Sequence, residues 1–399
     1  MSRHPTNRAE VQQNAEKERT RPAGSVVVRE AQFNRHDLEG MWGLFRSQLQ
    51  AYRTCSLSQF CALYDQLWLH NPARTSEDVI GWVLQTQERS IAGFIGILPV
   101  KLKIGDCEIS AGAAHSWVVL PMHRAHSLSL YKALMSWAER RMLLTTTSRE
   151  LAGKVHQRFG MNKIPVADFA RQAFWLFKPE VALEATIARS GWKRCAEYCH
   201  RFPLNIVVKG LLRARFIGHQ FAQFKCAKMA IEPVHAFGEE FDRLWEDNKN
   251  DFAITTVRDR KFLQWRHFQV PGVLGRTSVF ACRDRGRIRG YVAVQVRRGE
   301  VTAVPNHYTV TDLFYERSCK DVFYNLLNQV FALARSGGCA VLEVSDFSGE
   351  VMAELERLHP YIRQSRAWTY WYKAPTSAIA ETCATQAWWP SGIDGDSNL

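Results

Sequence analysis

The chain has 399 residues, 46% of them hydrophobic and 23% charged, with 52 lysines and arginines against 39 acids and a formal net charge of +13. That composition excludes disorder throughout and leaves room for two domains, three at most. There is no run of about 20 apolar residues, so no transmembrane helix is expected. The basic balance points to an anionic partner: a nucleotide cofactor, a phospholipid surface or nucleic acid.

Residues 1–24 are polar with alternating charges and read as a disordered arm. They hold no apolar core, so no secretory signal is expected. Ten cysteines without framework spacing suit reduced thiols, which points to a cytoplasmic protein. Beyond the arm the chain repeats itself. Trp68 and Gly93 of the first half return as Trp265 and Gly290 of the second, both 197 residues on. Gly93 lies in Ile91-Ala92-Gly93-Phe94-Ile95-Gly96-Ile97 and Gly290 in Ile288-Arg289-Gly290-Tyr291-Val292-Ala293-Val294. Each run follows a short β-rich one, and Cys282–Gly286 supplies a hairpin turn in the second half. The alternative is two unrelated hairpins that share a common pattern.

Both halves continue as strand, helix, strand, helix, strand. In the first the segments are 114–120, 127–142, 143–147, 149–159 and 162–169. In the second they are 308–314, 321–336, 340–344, 349–358 and 362–372, with Val322, Leu326, Val330 and Leu333 at helical spacing. This order predicts two similar α/β units over 25–175 and 230–375. The connector, 176–229, is basic: from 189 to 228 nine lysines and arginines face one acid, Glu197. Apolar residues are interleaved, so the segment either lies as an amphipathic helix on an anionic membrane surface, which would make the protein peripheral at the inner membrane, or covers the seam between the units. Nucleic acid is not expected, since no recognition motif is present. The tail, 376–399, is turn-rich, but Trp388 and Trp389 predict that part of it folds back onto the body.

The stretch AHSWVVLPMHRAHSLSLYKALMSWAERR, followed by LLTTTSRELAGKVHQRFGMNKIP, resembles the GCN5-related N-acetyltransferase superfamily. The shared features are a strand, Val-x-Pro, an Arg-bearing turn that opens a helix, and a closing helix that ends in an aromatic-Gly step. The second half, with FLQWRHFQVPG, a hairpin and a strand ending in Val310-Thr311-Asp312-Leu313, is similar to divergent members. The resemblance is greatest to tandem forms associated with bacterial polysaccharide and surface-glycan biosynthesis. It implies an α/β mixed-sheet fold of two tandem acyl-CoA N-acyltransferase-like domains. It also implies transfer of an acetyl or other acyl group from CoA to an amine on a small molecule or glycan precursor.

A pyrophosphate is held most simply by backbone N–H groups at a helix N-terminus, where side chains must be small. The family pattern there is Gln/Arg-x-x-Gly-x-Gly/Ala. This chain reads Arg124-Ala125-His126-Ser127-Leu128-Ser129, with serines in place of both glycines, and these six residues are the expected CoA contacts. The plain alternative is a serine-capped helix after a basic turn. The second half has Tyr315–Asp321 instead, without glycine and with two acids, and is not expected to bind CoA in the usual way.

Acyl transfer to an amine needs a base, an oxyanion donor and an acid for the leaving thiolate. The family takes the base from the fourth strand, where this chain has His115 and Ser116. His115 is the candidate base; the alternative is a histidine satisfied on a half-buried strand. The family's tyrosine acid falls on His156, a proton donor when charged or else a surface histidine. Asp312, inside the apolar VTDLFY strand, is either a catalytic partner or the structural mate of an arginine. Asp394 and Asp396 could bind an amine or a metal, but read more simply as a solvated turn. Cys195-x-x-x-Cys199-His200 lacks a second ligand pair, so no metal is expected. Two other readings stay open: a non-catalytic binding or scaffold protein of a surface-polysaccharide system, and an aminoacyl or peptidyl transferase using charged tRNA.

Overall fold

A computed structural model describes residues 25–166, 171–178, 218–219, 221–271, 275–297, 306–345, 347–364 and 369–396. The arm, 1–24, and residues 189–217 of the basic connector lie outside the described residues. In the first half the elements are β1 (Val26–Glu30), α1 (Arg35–Gln48), α2 (Leu57–Tyr64), β2 (Gly81–Thr86), β3 (Ile91–Ile104), β4 (Cys107–Val119), α3 (Ser127–Trp137), β5 (Met142–Ser148), α4 (Glu150–Arg158), β6 (Asn162–Lys163) and β7 (Arg171–Leu176). The second half brings β8 (Ala230–Val234), α5 (Glu239–Asn248), β9 (Ile254–Thr256), α6 (Arg260–Gln264), β10 (Gly275–Asp284), β11 (Arg287–Arg297), β12 (His307–Tyr315), α7 (Lys320–Ser336), β13 (Val341–Ser345), α8 (Gly349–Glu356), β14 (Tyr361–Gln364), β15 (Thr369–Lys373) and α9 (Ser377–Thr385).

The repeat is physical. Gly93 and Gly290 let the long helix of each half come down onto the sheet: a Cβ at Gly93 would lie 3.1 Å from Leu130 of α3, and one at Gly290 2.9 Å from Val322 of α7. The β10–β11 turn is tight, with Arg285 and Gly286 both at positive φ. Trp68 and Trp265 each sit in a π-helical turn, at Asp65–Leu69 and Trp265–Gln269, after α2 and α6. The two turns touch, since Trp265 Nε1 donates to the Gln66 carbonyl at 2.7 Å.

Each half contributes a mixed sheet, and the two exchange strands. The first sheet runs β1-β2-β3-β4-β5-β15-β6, with β9 added on β3; the second runs β14-β7-β13-β12-β11-β10-β8. Thus β15 of the second half lies between β5 and β6, and β7 of the first half lies between β13 and β14. The expected division at 25–175 and 230–375 follows the repeat along the chain, but each sheet is completed by strands from the other half. The single strand expected over 362–372 is corrected to two, β14 and β15, in different sheets. Of the strand expected over 162–169, the described residues 162–166 pair only at Asn162–Lys163; 167–169 lie outside the described residues. One hydrophobic core joins Leu98, Met142 and Leu144 to Trp245, Val292 and Leu326.

Because β9 and β15 complete the first sheet, a fragment ending at residue 229 is expected to show no cooperative thermal transition by circular dichroism, whereas the full chain unfolds cooperatively.

Candidate functional site

β4 and β5 run in parallel and pair only from Ala111↔Met142 to Ala113↔Leu144. They then part. The cause is a bulge in β4: its register against β3 passes from Phe94↔Val118 to Gly96↔His115, so Ser116 and Trp117 face Ile95 alone. Ser116 has φ +54°, a left-handed value uncommon outside glycine. The bulge bends the strand and takes backbone groups out of the ladder. His115 lies across the strand at Gly96, where a Cβ would come within 2.3 Å of its Nε2. Its ring packs 5.8 Å from Phe94 and 6.3 Å from Tyr64, and Nδ1 is 3.1 Å from Ser116 Oγ. Burial pushes its pKa down to about 4, so the ring is neutral. Tyr64 Oη is buried beside it without a hydrogen-bond partner.

The C-terminal tail enters this opening. Ile254 N donates to the Ala387 carbonyl at 3.2 Å and Ile254 O accepts from Trp389 N at 2.8 Å, which runs residues 387–389 along β9, and Trp388 and Trp389 are buried as expected. A hook follows. Gly395, at φ +58°, fits between β4 and β5, where a Cβ would lie 2.9 Å from Ala113 Cβ and 3.1 Å from Thr146 Oγ1. Asp396 accepts hydrogen bonds from Thr146 Oγ1 at 2.9 Å and Thr147 Oγ1 at 3.0 Å. Asp394 accepts from Thr256 Oγ1 at 2.6 Å. Burial raises both carboxyls, Asp394 to about 6. The solvated turn expected over 394–396 is therefore corrected: Asp394 is buried and Asp396 half-buried, because Trp388 and Trp389 anchor the chain just upstream.

The second half repeats the bulge and fills it differently. Its register shifts between Ala293 and Val294, leaving Thr311 unmatched, and Asp312 opposes Ala293 as His115 opposes Gly96. His115 and Asp312 are themselves 197 residues apart. Asp312 is fully buried against Arg258 (3.2 Å) and accepts a short hydrogen bond from Tyr291; His267 Nε2 lies 3.9 Å away. Burial alone would raise the Asp312 carboxyl, but Arg258 outweighs it and holds the group well below the usual carboxylate range. Arg258 also donates to Thr255 Oγ1, the Thr256 carbonyl and Ser391 Oγ. Asp312 thus has the arginine mate that the sequence left open.

The turn expected to hold CoA is a 3-10 turn, Pro121–His126, that runs straight into α3. Arg124, Ala125, Leu128 and Ser129 are exposed, while His126 and Ser127 are half-buried. No side chain caps α3, so the serine-capped alternative is corrected. The Ser127 amide donates to the Arg124 carbonyl and is not free. In the second half two charges of the matching turn are paired: its Glu316 with Arg289 at 2.8 Å, and its Lys320 with Glu354 of α8 at 2.8 Å.

His156 is corrected on both counts. It is a buried side chain of α4, not a surface one, and burial lowers its pKa to about 4, so it is not a charged donor at neutral pH. It sits between Tyr131 Oη (2.6 Å) and Ser148 Oγ (2.7 Å). The structure therefore gathers His115 and Ser116 with Asp396, Thr146 and Thr147 around one opening. Sequence reasoning misses Tyr64 and Ser148; it names Asp396 as a possible amine or metal ligand but reads it more simply as a solvated turn, and the signal for its return is the WWP anchor ahead of GIDGD.

No known family model matches the chain, and no curated protein matches it by sequence. Solved structures do match. A probable N-acyltransferase of otherwise unknown function from Enterococcus faecalis V583 superposes with a TM-score of 0.57 at 9% identity, over 88% of this chain and 72% of that one. A GCN5-related N-acetyltransferase from Anabaena variabilis ATCC 29413 gives 0.56 at 11%, over 89% and 74%. Saccharomyces cerevisiae N-myristoyltransferase with bound myristoyl-CoA gives 0.50 at 10%, over 88% and 83%. At such identities the likeness is one of fold, and the fold is that of tandem acyl-CoA N-acyltransferases. Among the described residues no helix is long and apolar enough to cross a membrane.

His156, buried, and His115, half-buried, give a pH signature. Their folded pKa values near 4 lie below the ordinary 6.5, so the unfolded chain takes up protons first as pH falls. Their contribution is complete above pH 6.5 and is lost on the way to pH 4, up to about 3 kcal/mol each. Urea midpoints measured at pH 7 and pH 5 are expected to fall for the wild type, and to fall less for His115→Gln and His156→Gln.

Proposed function

We propose that the protein is an acyl-CoA-dependent N-acyltransferase whose working site is the opening between β4 and β5. The observation that carries this reading is the Asp396 carboxylate, brought by the tail to the point where the bulged strand leaves its neighbour. A carboxylate whose basicity is raised by burial suits removal of a proton from an ammonium group. Backbone amides released by the bulge at Ser116 and Trp117 suit a carbonyl oxygen that gains negative charge as the amine attacks. His115, neutral and packed across Gly96, holds that bulge in shape. Arg124, exposed ahead of α3, is the contact for the CoA phosphates, with Ala125 to Ser129 beside it. The acceptor is an amine on a small molecule or glycan precursor. The likeness to structures named as N-acyltransferases supports the same reaction.

The test is thermal unfolding with acetyl-CoA. At 100 times its dissociation constant a ligand adds about 2.7 kcal/mol of apparent stability. The wild type is expected to shift and Arg124→Glu not to. Asp396→Asn should keep the shift while its turnover number falls by about 10² to 10⁴. No shift with acetyl-CoA or longer acyl-CoAs would favour the second reading, a non-catalytic binding or scaffold protein. The engagement of the Ser127 amide by Arg124 favours that reading.

The basic connector suggests docking on an anionic membrane surface. Its described end carries Phe221, 77% exposed, with Lys225 and Lys228 around a cleft of about 900 Å³. Co-sedimentation with anionic vesicles should be lost on deleting 189–228, and equal binding by the deletion would exclude this surface.

A further inference from the structure

One face of the second sheet is polar where the first sheet is apolar. In the first sheet Leu98, Ala113, Leu144 and Tyr372 stand in one row across β3, β4, β5 and β15. All four are buried, and Trp388 of the tail packs 5.4 Å from the Tyr372 ring. The matching row of the second sheet crosses β11, β12, β13 and β7: Gln295 opposes Thr309, Thr309 opposes Glu343, and Glu343 opposes Phe174. Gln295 stands 197 residues after Leu98, the spacing of the repeat. On the other face of this sheet Leu342, Val344 and Trp175 belong to the core, with Trp175 5.0 Å from Phe331 of α7. The polar row is therefore not what holds the sheet to its helix.

Gln295, Thr309 and Glu343 are buried where the first sheet buries apolar side chains, and a buried polar group is costly unless it is bonded. Thr309 is 1% exposed, and its Oγ1 has no hydrogen-bond partner. Glu343 Oε2 lies 3.1 Å from His307 Nε2. Burial would raise the Glu343 carboxyl, but His307, Arg297 and Arg363 bring it down to about 2, so it is ionised. The row opens at its β7 end. Phe174 and Tyr361 are half-buried with their rings stacked at 5.4 Å, and Arg363, exposed, donates to Gln172 Oε1 at 2.7 Å.

These groups select a ligand by elimination. An apolar ligand would strand the Thr309 hydroxyl. An anion would meet Glu343, and an ammonium group would meet Arg297 and Arg363. A neutral hydroxyl both donates and accepts, so it suits the carboxylate, the guanidinium and the threonine alike. A ring that bears several hydroxyls also has an apolar side to lay on Phe174. Along β12 the same face leads to Asp312, which Arg258 joins to Ser391 of the tail that carries Asp396.

We propose that this face of the second sheet binds a neutral, polyhydroxylated ring, the part of the acceptor that does not react. That the ring belongs to the acceptor rests on the acyl-transfer reading; the binding site itself rests on the row.

The experiment titrates the full chain, without acyl-CoA, by isothermal calorimetry. The probes are glucosamine and cyclohexylamine, a ring amine without hydroxyls. Glucosamine is expected to bind saturably, and cyclohexylamine at least tenfold more weakly. Thr309→Val keeps the shape and removes the hydroxyl. It should weaken glucosamine binding about tenfold while the thermal midpoint stays level or rises, because the lost group had no partner. With acetyl-CoA present, the same variant should raise the KM for glucosamine more than it lowers kcat. Equal binding of the two amines, no saturable binding of glucosamine, or wild-type affinity in Thr309→Val would overturn the site. A Thr309→Val chain that is destabilised would give the hydroxyl a structural role and overturn it too. If an acetyl-CoA thermal shift persists in any of these cases, the acyl-CoA reading stands. Glucosamine binding without a shift by any acyl-CoA would keep this site and overturn that reading.

Discussion

The structure depends on one constraint: each half closes its sheet with the other half's last strand. An open sheet end between β5 and β6 would expose unpaired backbone groups, and β15 covers it. β7 does the same between β13 and β14. The exchange also sets the path of everything after it. Because β15 lies beside β5, the chain that follows, α9 and residues 387–396, starts next to the strand whose Thr146 and Thr147 receive Asp396. A tail of the second half thus becomes a wall of the first half's opening.

The same frame makes the repeats unequal. Each carries a bulge beside the matching side chain, after His115 in the first half and before Asp312 in the second. In the second half that side chain is a carboxylate matched by Arg258. Both are inaccessible to water, and such a pair is tolerated only when its remaining groups are bonded. Thr255, Thr256 and Ser391 meet that condition for Arg258, and Tyr291 for Asp312. Those partners come from β9, β11 and the tail, and since β9 belongs to the first sheet and β11 and β12 to the second, the ion pair is also a clasp between the sheets. An opening filled this way has no carboxylate left for chemistry.

Burial, more than residue type, decides which groups carry charge here. His115 and His156 lose their charge because burial disfavours the imidazolium, whereas Asp312 keeps its charge because a guanidinium faces it. Asp394 and Asp396 stand between these cases, held by hydroxyl donors that stabilise a carboxylate less than a cation would. Neutral imidazoles and a carboxylate of raised basicity around one opening make a site suited to moving protons near neutral pH.

The sequence by itself determined the repeat and its consequences. Gly93 and Gly290 mark where a helix must approach a strand, and apolar spacing at Val322, Leu326 and Val330 marks which helix face is buried. Both are local rules of sterics and period, so they can be read along the chain. The paired tryptophans likewise announced a tail that returns to the body. What the sequence could not hold is which sheet a strand joins, since β7 and β15 have the same apolar alternation and either sheet would bury them. Nor could it tell that GIDGD enters a gap between strands from the other half, because turn residues look alike in water and in a cleft. The pairing of Asp312 with Arg258 and the burial of His156 between Tyr131 and Ser148 depend on neighbours far apart in the chain, and only the tertiary structure decided them.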